Sequence, residues 1–255
     1  MKLHFQRLGQ GQPLVILHGL FGTLENWGTT TKALAEHFDV IAVDLRNHGR
    51  SPHAAEMNYP VMATDVIKLL DDLNLPSVLL MGHSMGGKVA MQIALNHPER
   101  IQKLLLVDIA PVAYEHHHLD VFKGLNSVDL ESLKSRSEAE SVLTHYISEA
   151  SVRAFLLKNL YRTPEKKFAW RMNLPVLDQQ YAHISQAPKG SVFSGTTMFI
   201  KGGNSHYIEA KHREAILALF PNATYKVIQG AGHWPHAEKP ELFTKLVINF
   251  LSANT

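Results

Sequence analysis

A serine hydroxyl attacks a carbonyl only when a base takes its proton and the backbone holds its oxygen where a substrate can reach it. One stretch of this sequence meets the second requirement. Val78-Leu79-Leu80-Met81 is a short apolar run with the character of a buried strand, and Gly82-His83-Ser84-Met85-Gly86 follows it. Val89, Ala90, Ile93 and Ala94 then recur at helical spacing until Pro98 closes the helix. Strand, G-x-S-x-G and helix in that order form a nucleophile elbow, a strained turn with the serine at its apex. A side chain at either flanking glycine would collide with strand or helix. Gly82 and Gly86 remove it, and Gly87 lets the helix approach the sheet more closely. The helix N-terminus beneath Ser84 favours developing negative charge. The matching base is expected in Gly230-Ala231-Gly232-His233-Trp234, which delivers His233 on a loop after the last strand.

A second element of chemistry follows the first fully apolar run, Leu14-Val15-Ile16-Leu17. His18-Gly19-Leu20-Phe21-Gly22 is a glycine-rich loop whose N–H groups are free to point into a cleft. The N–H groups of Leu20 and Met85 are expected to form an oxyanion hole. His18, Phe21, His83 and Trp234 adjoin these motifs and are expected to line the substrate pocket.

These residues need a scaffold, and 255 residues suffice for one α/β domain with an insertion. The net charge of +2 is too small to argue for a nucleic acid or an anionic membrane as partner, and the absence of cysteine excludes disulfides, metal thiolates and a cysteine nucleophile. No apolar run reaches membrane-spanning length and the first ten residues do not read as a signal peptide, so a cytoplasmic protein is expected. Lys2 to Leu8 alternates like an edge strand. Trp27, Leu34, Ala35 and Phe38 make one helix face before the buried strand Val40 to Val43. Asp44 precedes the nucleophile by a full βαβ unit, and it is read with Arg46 as ordering the loop up to Ser51. Pro60 opens a helix, and Leu104 to Val107 is another buried strand.

From 112 to 189 helical spacing replaces apolar runs. Ser137 to Glu140 has capping-box form, and three helices are expected around Leu143, Phe155 and Leu177. Tyr114, Phe122, Phe155, Trp170, Met172 and Tyr181 are assigned to the core of this segment. His116-His117-His118 reads as an exposed stretch rather than a metal site, since adjacent histidines cannot all face one ion. Strands resume at Thr197 to Ile200 and Tyr225 to Ile228, and an amphipathic helix over Leu242 to Leu251 closes the chain. The alternation predicts a mostly parallel sheet with helices on both faces, a core of residues 1–111 and 190–255, and a helical cap, 112–189, inserted after the strand ending near Val107.

Nucleophile first and histidine last is the order of the α/β-hydrolase fold. Within that fold the chain resembles the bacterial YbfF-type esterases, sharing DLRNHGRSP, MGHSMGGK, VDIAPV, GGNS and AGHW followed by PHAEKP, in order along nearly the whole chain. The resemblance implies a serine hydrolase acting on small-molecule acyl esters or thioesters, without metal or organic cofactor. One departure from the wider fold concerns the acid. The usual G-x-x-D loop is here Gly202-Gly203-Asn204-Ser205, and a hydroxyl cannot stabilise an imidazolium as a carboxylate does. Asp108, one strand after the nucleophile, is expected to be the acid, as in the YbfF-type proteins, with Ser205 bridging to it or to the histidine. Glu209 is the competitor. Two other readings share the fold: a lyase of the menaquinone-pathway type, needing arginines converging on the site, and a non-catalytic receptor. A carboxylate nucleophile, as in epoxide hydrolases, does not fit Ser84. A monomer or weak dimer is expected.

Overall fold

A run of apolar residues without polar alternation must be covered on both faces. The computed structural model, which describes residues 1–253, buries each such run in one central sheet. Its strands begin with β1 (Phe5–Leu8), β2 (Pro13–Leu17), β3 (Asp39–Val43), β4 (Val78–His83) and β5 (Ile101–Val107). β6 (Leu160–Arg162) and β7 (Phe168–Trp170) pair only with each other, and β8 (Thr197–Gly202) and β9 (Ala223–Ile228) complete the main sheet. The order is β1-β3-β2-β4-β5-β8-β9, parallel throughout except for the antiparallel edge strand β1.

Alternate residues along each strand serve the two faces. Val15, Leu17, Leu80, Leu104 and Leu106 face one layer, which holds α2 (Tyr59–Asp72) and α3 (Met85–Asn96), the first helix, α1 (Gly28–Leu34), having preceded β3. Leu14, Ile16, Leu79, Met81, Leu105 and Val107 face the other, where Trp27 packs with Phe243, Val247 and Leu251 of the closing helix, Pro240–Ser252. No helix among the described residues is long and apolar enough to cross a membrane.

Between β5 and β8 the chain forms helices Leu119–Asn126, Arg136–Leu143, Ala150–Leu157, Leu174–Gln179 and Tyr181–Ile184. The sequence reading is corrected here in three places. The second expected helix stops at Leu157, because Asn159 turns its amide to the Phe21 and Leu156 carbonyls and Leu160 pairs with Trp170 in the β6–β7 ladder. The third is broken at Gln180 (φ −96°, ψ 8°). The capping serine is Ser135 rather than Ser137: its extended backbone lets its side chain accept from the Glu138 N–H, while Glu138 accepts from the Lys134 N–H.

Candidate active site

Ser84 lies at φ 52°, ψ −119°, a region that costs a non-glycine residue on the order of 1–3 kcal/mol. The surroundings enforce it. A Cβ at Gly82 would fall inside contact distance of the Gly86 carbonyl, and one at Gly86 would strike the Leu17 and His18 carbonyls. Backbone atoms cannot yield as a flexible side chain can, so Gly86→Ala is expected to destabilise by about 1–3 kcal/mol, read as a lowered urea midpoint. The Ser84 N–H donates to the Val107 carbonyl at 3.1 Å, tying the elbow to the next strand, and α3 begins at Met85.

Four neighbouring strands bring the candidate residues together at their carboxyl ends, where ligands bind in open parallel sheets. Ser84 follows β4, Asp108 follows β5, and Ser205 lies beyond β8, while His233 arrives on the loop after β9. His233 Nε2 is 3.0 Å from Ser84 Oγ, and its Nδ1 is 2.7 Å from Asp108 Oδ2. Asp108 is fully buried and takes φ 51°, with its N–H donating to the Ile200 carbonyl. Its Oδ1 accepts from the Gly202 N–H at 3.0 Å, and Oδ2 accepts from the Ser205 hydroxyl as well as from His233. Ser205 thus bonds the acid, not the imidazole, and its oxygen accepts from the Tyr207 N–H at 3.2 Å. Glu209 lies elsewhere: its carboxylate engages His206 and Lys211, which hold its pKa down. Ser205→Ala leaves Oδ2 with one donor, and kcat is expected to fall about 10-fold, or 1.4 kcal/mol, in steady-state assays.

The loop after β2 comes beside the elbow because Leu17 is paired with Gly82. A Cβ at Gly19 would lie 2.9 Å from His83 Nδ1 and 3.2 Å from Ser84 Cβ, so only glycine fits there without displacement. Neither the Leu20 nor the Met85 N–H has a hydrogen-bond partner among the described residues. Two buried histidines fix this loop. His18 Nδ1 lies 2.8 Å from the Gly19 carbonyl and its Nε2 accepts from the Leu45 N–H; His48 Nε2 accepts from the Phe21 N–H. Burial lowers their pKa values to about 4 and about 3, keeping both neutral at pH 7. The segment supplying His48 is itself braced by Asp44, which accepts from the Leu24 and Arg50 N–H groups, and by an Arg46–Asp65 ion pair. The ordering role read for Asp44 and Arg46 has these contacts as its substance.

His18, Phe21, His83 and Trp234 all lie on the wall of a cavity of about 990 Å³ that opens over Ser84. His18 and His83 are also framework: His83 Nε2 donates to the His233 carbonyl at 2.7 Å, holding that loop in place. Two expectations are corrected. Phe155, read as core, stands on the cavity wall against Trp234, with ring centroids 5.6 Å apart. His118, read as exposed with its neighbours, turns inward, its Nδ1 2.7 Å from the Tyr181 hydroxyl, while His116 and His117 remain exposed. Sequence reasoning missed Tyr207, whose ring stacks on His233 at 3.9 Å and 20°. Its place two residues after Ser205 is the one signal that could have pointed to it.

Residues 12–240 match the family model described as alpha/beta hydrolase fold, and the chain belongs to that family. It is 39% identical over 248 residues to Esterase YbfF of Escherichia coli, covering 97% of this chain and 96% of that protein. It is 38% identical over 248 residues to the sn-1-specific diacylglycerol lipase ABHD11 of Mus musculus, covering 94% of this chain and 80% of that one. A solved structure, a marine microorganism esterase, superposes with a TM-score of 0.95 at 38% identity, covering 98% of this chain and 99% of the other. The protein is a hydrolase of the esterase and lipase kind.

Proposed function

We propose that this chain hydrolyses carboxylic esters, and acyl thioesters by the same chemistry, through an acyl-enzyme on Ser84. His233 Nε2 takes the Ser84 proton as Oγ attacks the acyl carbon, and the N–H groups of Leu20 and Met85 bind the resulting oxyanion. The imidazolium then gives that proton to the departing alcohol or thiol. Water, activated by His233, releases the acid and restores Ser84. Asp108 stabilises the imidazolium and fixes the tautomer in which Nδ1 carries hydrogen. Residues 112–189 act as the cap, and Ile147, Val152 and Phe155 supply apolar wall for the substrate.

The observation that carries this reading is the continuous chain from Ser84 Oγ through His233 to Asp108, at 3.0 and 2.7 Å. The lyase reading finds less support. Arg136 and Arg162 donate to backbone carbonyls of the cap, Arg153 to those of Ile147 and Ser148, and Arg171 lies over the Tyr161 ring. None of these four lines the cavity. The test is initial rates on p-nitrophenyl esters from acetate to palmitate, with acyl-CoA thioesters alongside. Hydrolysis with a defined chain-length optimum is expected. No turnover of any ester or thioester would overturn the reading and leave the receptor in its place.

A further inference from the structure

The Leu20 N–H comes from a loop, and its direction is set by the peptide it belongs to. In a trans peptide the C=O and N–H point opposite ways, so whatever holds the Gly19 carbonyl aims the Leu20 N–H. That carbonyl accepts from the Gly22 N–H at 2.9 Å. It also accepts from His18 Nδ1 at 2.8 Å, since His18 Nε2 is already an acceptor and its hydrogen must lie on Nδ1. The Gly22 N–H belongs in turn to the peptide whose carbonyl is that of Phe21, and this carbonyl accepts from Asn159 Nδ2 at 2.7 Å. Asn159 lies between the helix Ala150–Leu157 and β6. Two peptide groups therefore stand in line between a side chain of the 112–189 segment and the Leu20 N–H.

The setting of Asn159 is unusual. Phe21 takes φ 60°, a conformation that a bulky residue avoids. It is held there from both sides, its N–H donating to His48 Nε2 at 3.2 Å and its carbonyl accepting from Asn159. Asn159 is 1% exposed, and its backbone is fixed by bonds to the Leu156 carbonyl at 3.0 Å and from the Arg171 N–H at 2.8 Å. Its Nδ2 serves the Phe21 and Leu156 carbonyls, whereas its Oδ1 is buried with no hydrogen-bond partner among the described residues. An orphaned acceptor costs stability. Among the described residues, the one hydrogen bond this side chain makes outside its own turn is to the Phe21 carbonyl. Hydrogen bonds in a chain polarise one another, so donation to that carbonyl strengthens the Gly22 N–H, and through Gly19 the Leu20 N–H, as donors.

We propose that Asn159 is a positioning residue for the oxyanion hole: its amide locks and polarises the two-peptide relay that ends on the Leu20 N–H. It lines neither of the two cavities that Ser84 borders, and acts through Gly22 and Gly19. The cap thus completes the hole as well as walling the pocket. This inference rests on the reading of Ser84 as nucleophile and of Leu20 as oxyanion donor.

Asn159→Leu keeps the volume and removes the donor. On p-nitrophenyl butanoate its kcat is expected to fall about 10-fold with KM little changed, short of the roughly 100- to 1,000-fold that follows outright loss of a donor. A propyl trifluoromethyl ketone isolates the oxyanion. Ser84 Oγ adds to its carbonyl carbon, the hydroxyl proton passes to His233, and the carbonyl oxygen takes the negative charge into the hole. Its Ki should rise about 10-fold in the variant, while the Ki of the matching methyl ketone, which binds without addition, stays the same. Both ketones weakened equally, as loosened packing would give, or neither weakened, would overturn the proposal. A second measurement needs no variant to fold. In ¹H–¹⁵N spectra of the wild type, the trifluoromethyl ketone should move the Gly22 amide and Asn159 side-chain amide protons downfield, and no movement of either would overturn the relay. A trifluoromethyl ketone that binds the wild type no better than the methyl ketone would overturn the Ser84 reading beneath it.

Discussion

Asp108→Asn is expected to lower kcat by about 10⁴-fold with little change in the melting temperature, the loss that follows when a triad histidine is forced into the wrong tautomer. The hydrogen bonds around the carboxylate say why. Oδ1 accepts from the Gly202 N–H, so an amide NH₂ placed there would set donor against donor. The NH₂ must therefore take the Oδ2 position, facing Ser205 and His233 Nδ1. The Ser205 hydroxyl can rotate to accept, but His233 then becomes an acceptor at Nδ1 and carries its hydrogen on Nε2, pointing at Ser84. A base in that tautomer cannot take the serine proton. Steady-state rates on p-nitrophenyl butanoate measure the effect, with Glu209→Gln as control, expected within twofold of wild type. An Asp108→Asn rate within tenfold of wild type would move the acid role elsewhere.

Stability should fall steeply with acid. His18, His48 and His236 are buried, and desolvation lowers their pKa values from 6.5 to about 4, about 3 and about 3. A histidine whose folded pKa is depressed binds fewer protons folded than unfolded. Its full contribution to stability is present above pH 6.5 and is lost progressively as pH drops from 6.5 toward the folded values. Each group loses about 1.4 kcal/mol per pH unit in that window, so these three together remove about 4 kcal/mol by pH 5.5. That is a large share of the 5–15 kcal/mol that holds a typical domain folded. Urea midpoints at pH 7.5, 6.5 and 5.5 check it: little change over the first step and a sharp drop over the second. A midpoint flat from pH 7.5 to 5.5 would show that these histidines accept protons without cost. The loop bearing Leu20 would be among the first regions to loosen, since neutral His18 and His48 hold it through their Nε2 lone pairs, which a proton would occupy.

The elbow was readable because its requirements are local. Gly82, Ser84 and Gly86 must be those residues whatever surrounds them, since the colliding atoms belong to the same turn and to the strand beside it. The core strands were readable because a parallel sheet covered on both faces needs unbroken apolar runs, and β2, β3 and β4 have them. The position of Asp108 beside His233 was legible only jointly: the G-x-x-D position held Ser205, the next strand end offered a carboxylate, and the resemblance to the YbfF-type esterases favoured it over Glu209. The segment 112–189 was less legible. Its helices are short, two S-x-x-E frames overlap at Ser135 and Ser137, and tertiary contacts rather than periodicity choose between them. Phe155, His118 and Tyr207 face the site through packing across elements far apart in sequence, which no spacing rule encodes.

The central claim is that Ser84 is a nucleophile activated by His233. It is tested most directly with diethyl p-nitrophenyl phosphate, which phosphorylates activated serines and does not turn over readily. Peptide mass spectrometry should find one diethylphosphoryl group per chain, on the peptide containing Ser84. Labelling should vanish in Ser84→Ala and slow at least 100-fold in His233→Ala. Ester hydrolysis by wild-type protein that takes up no label, or label on a residue other than Ser84, would contradict the account.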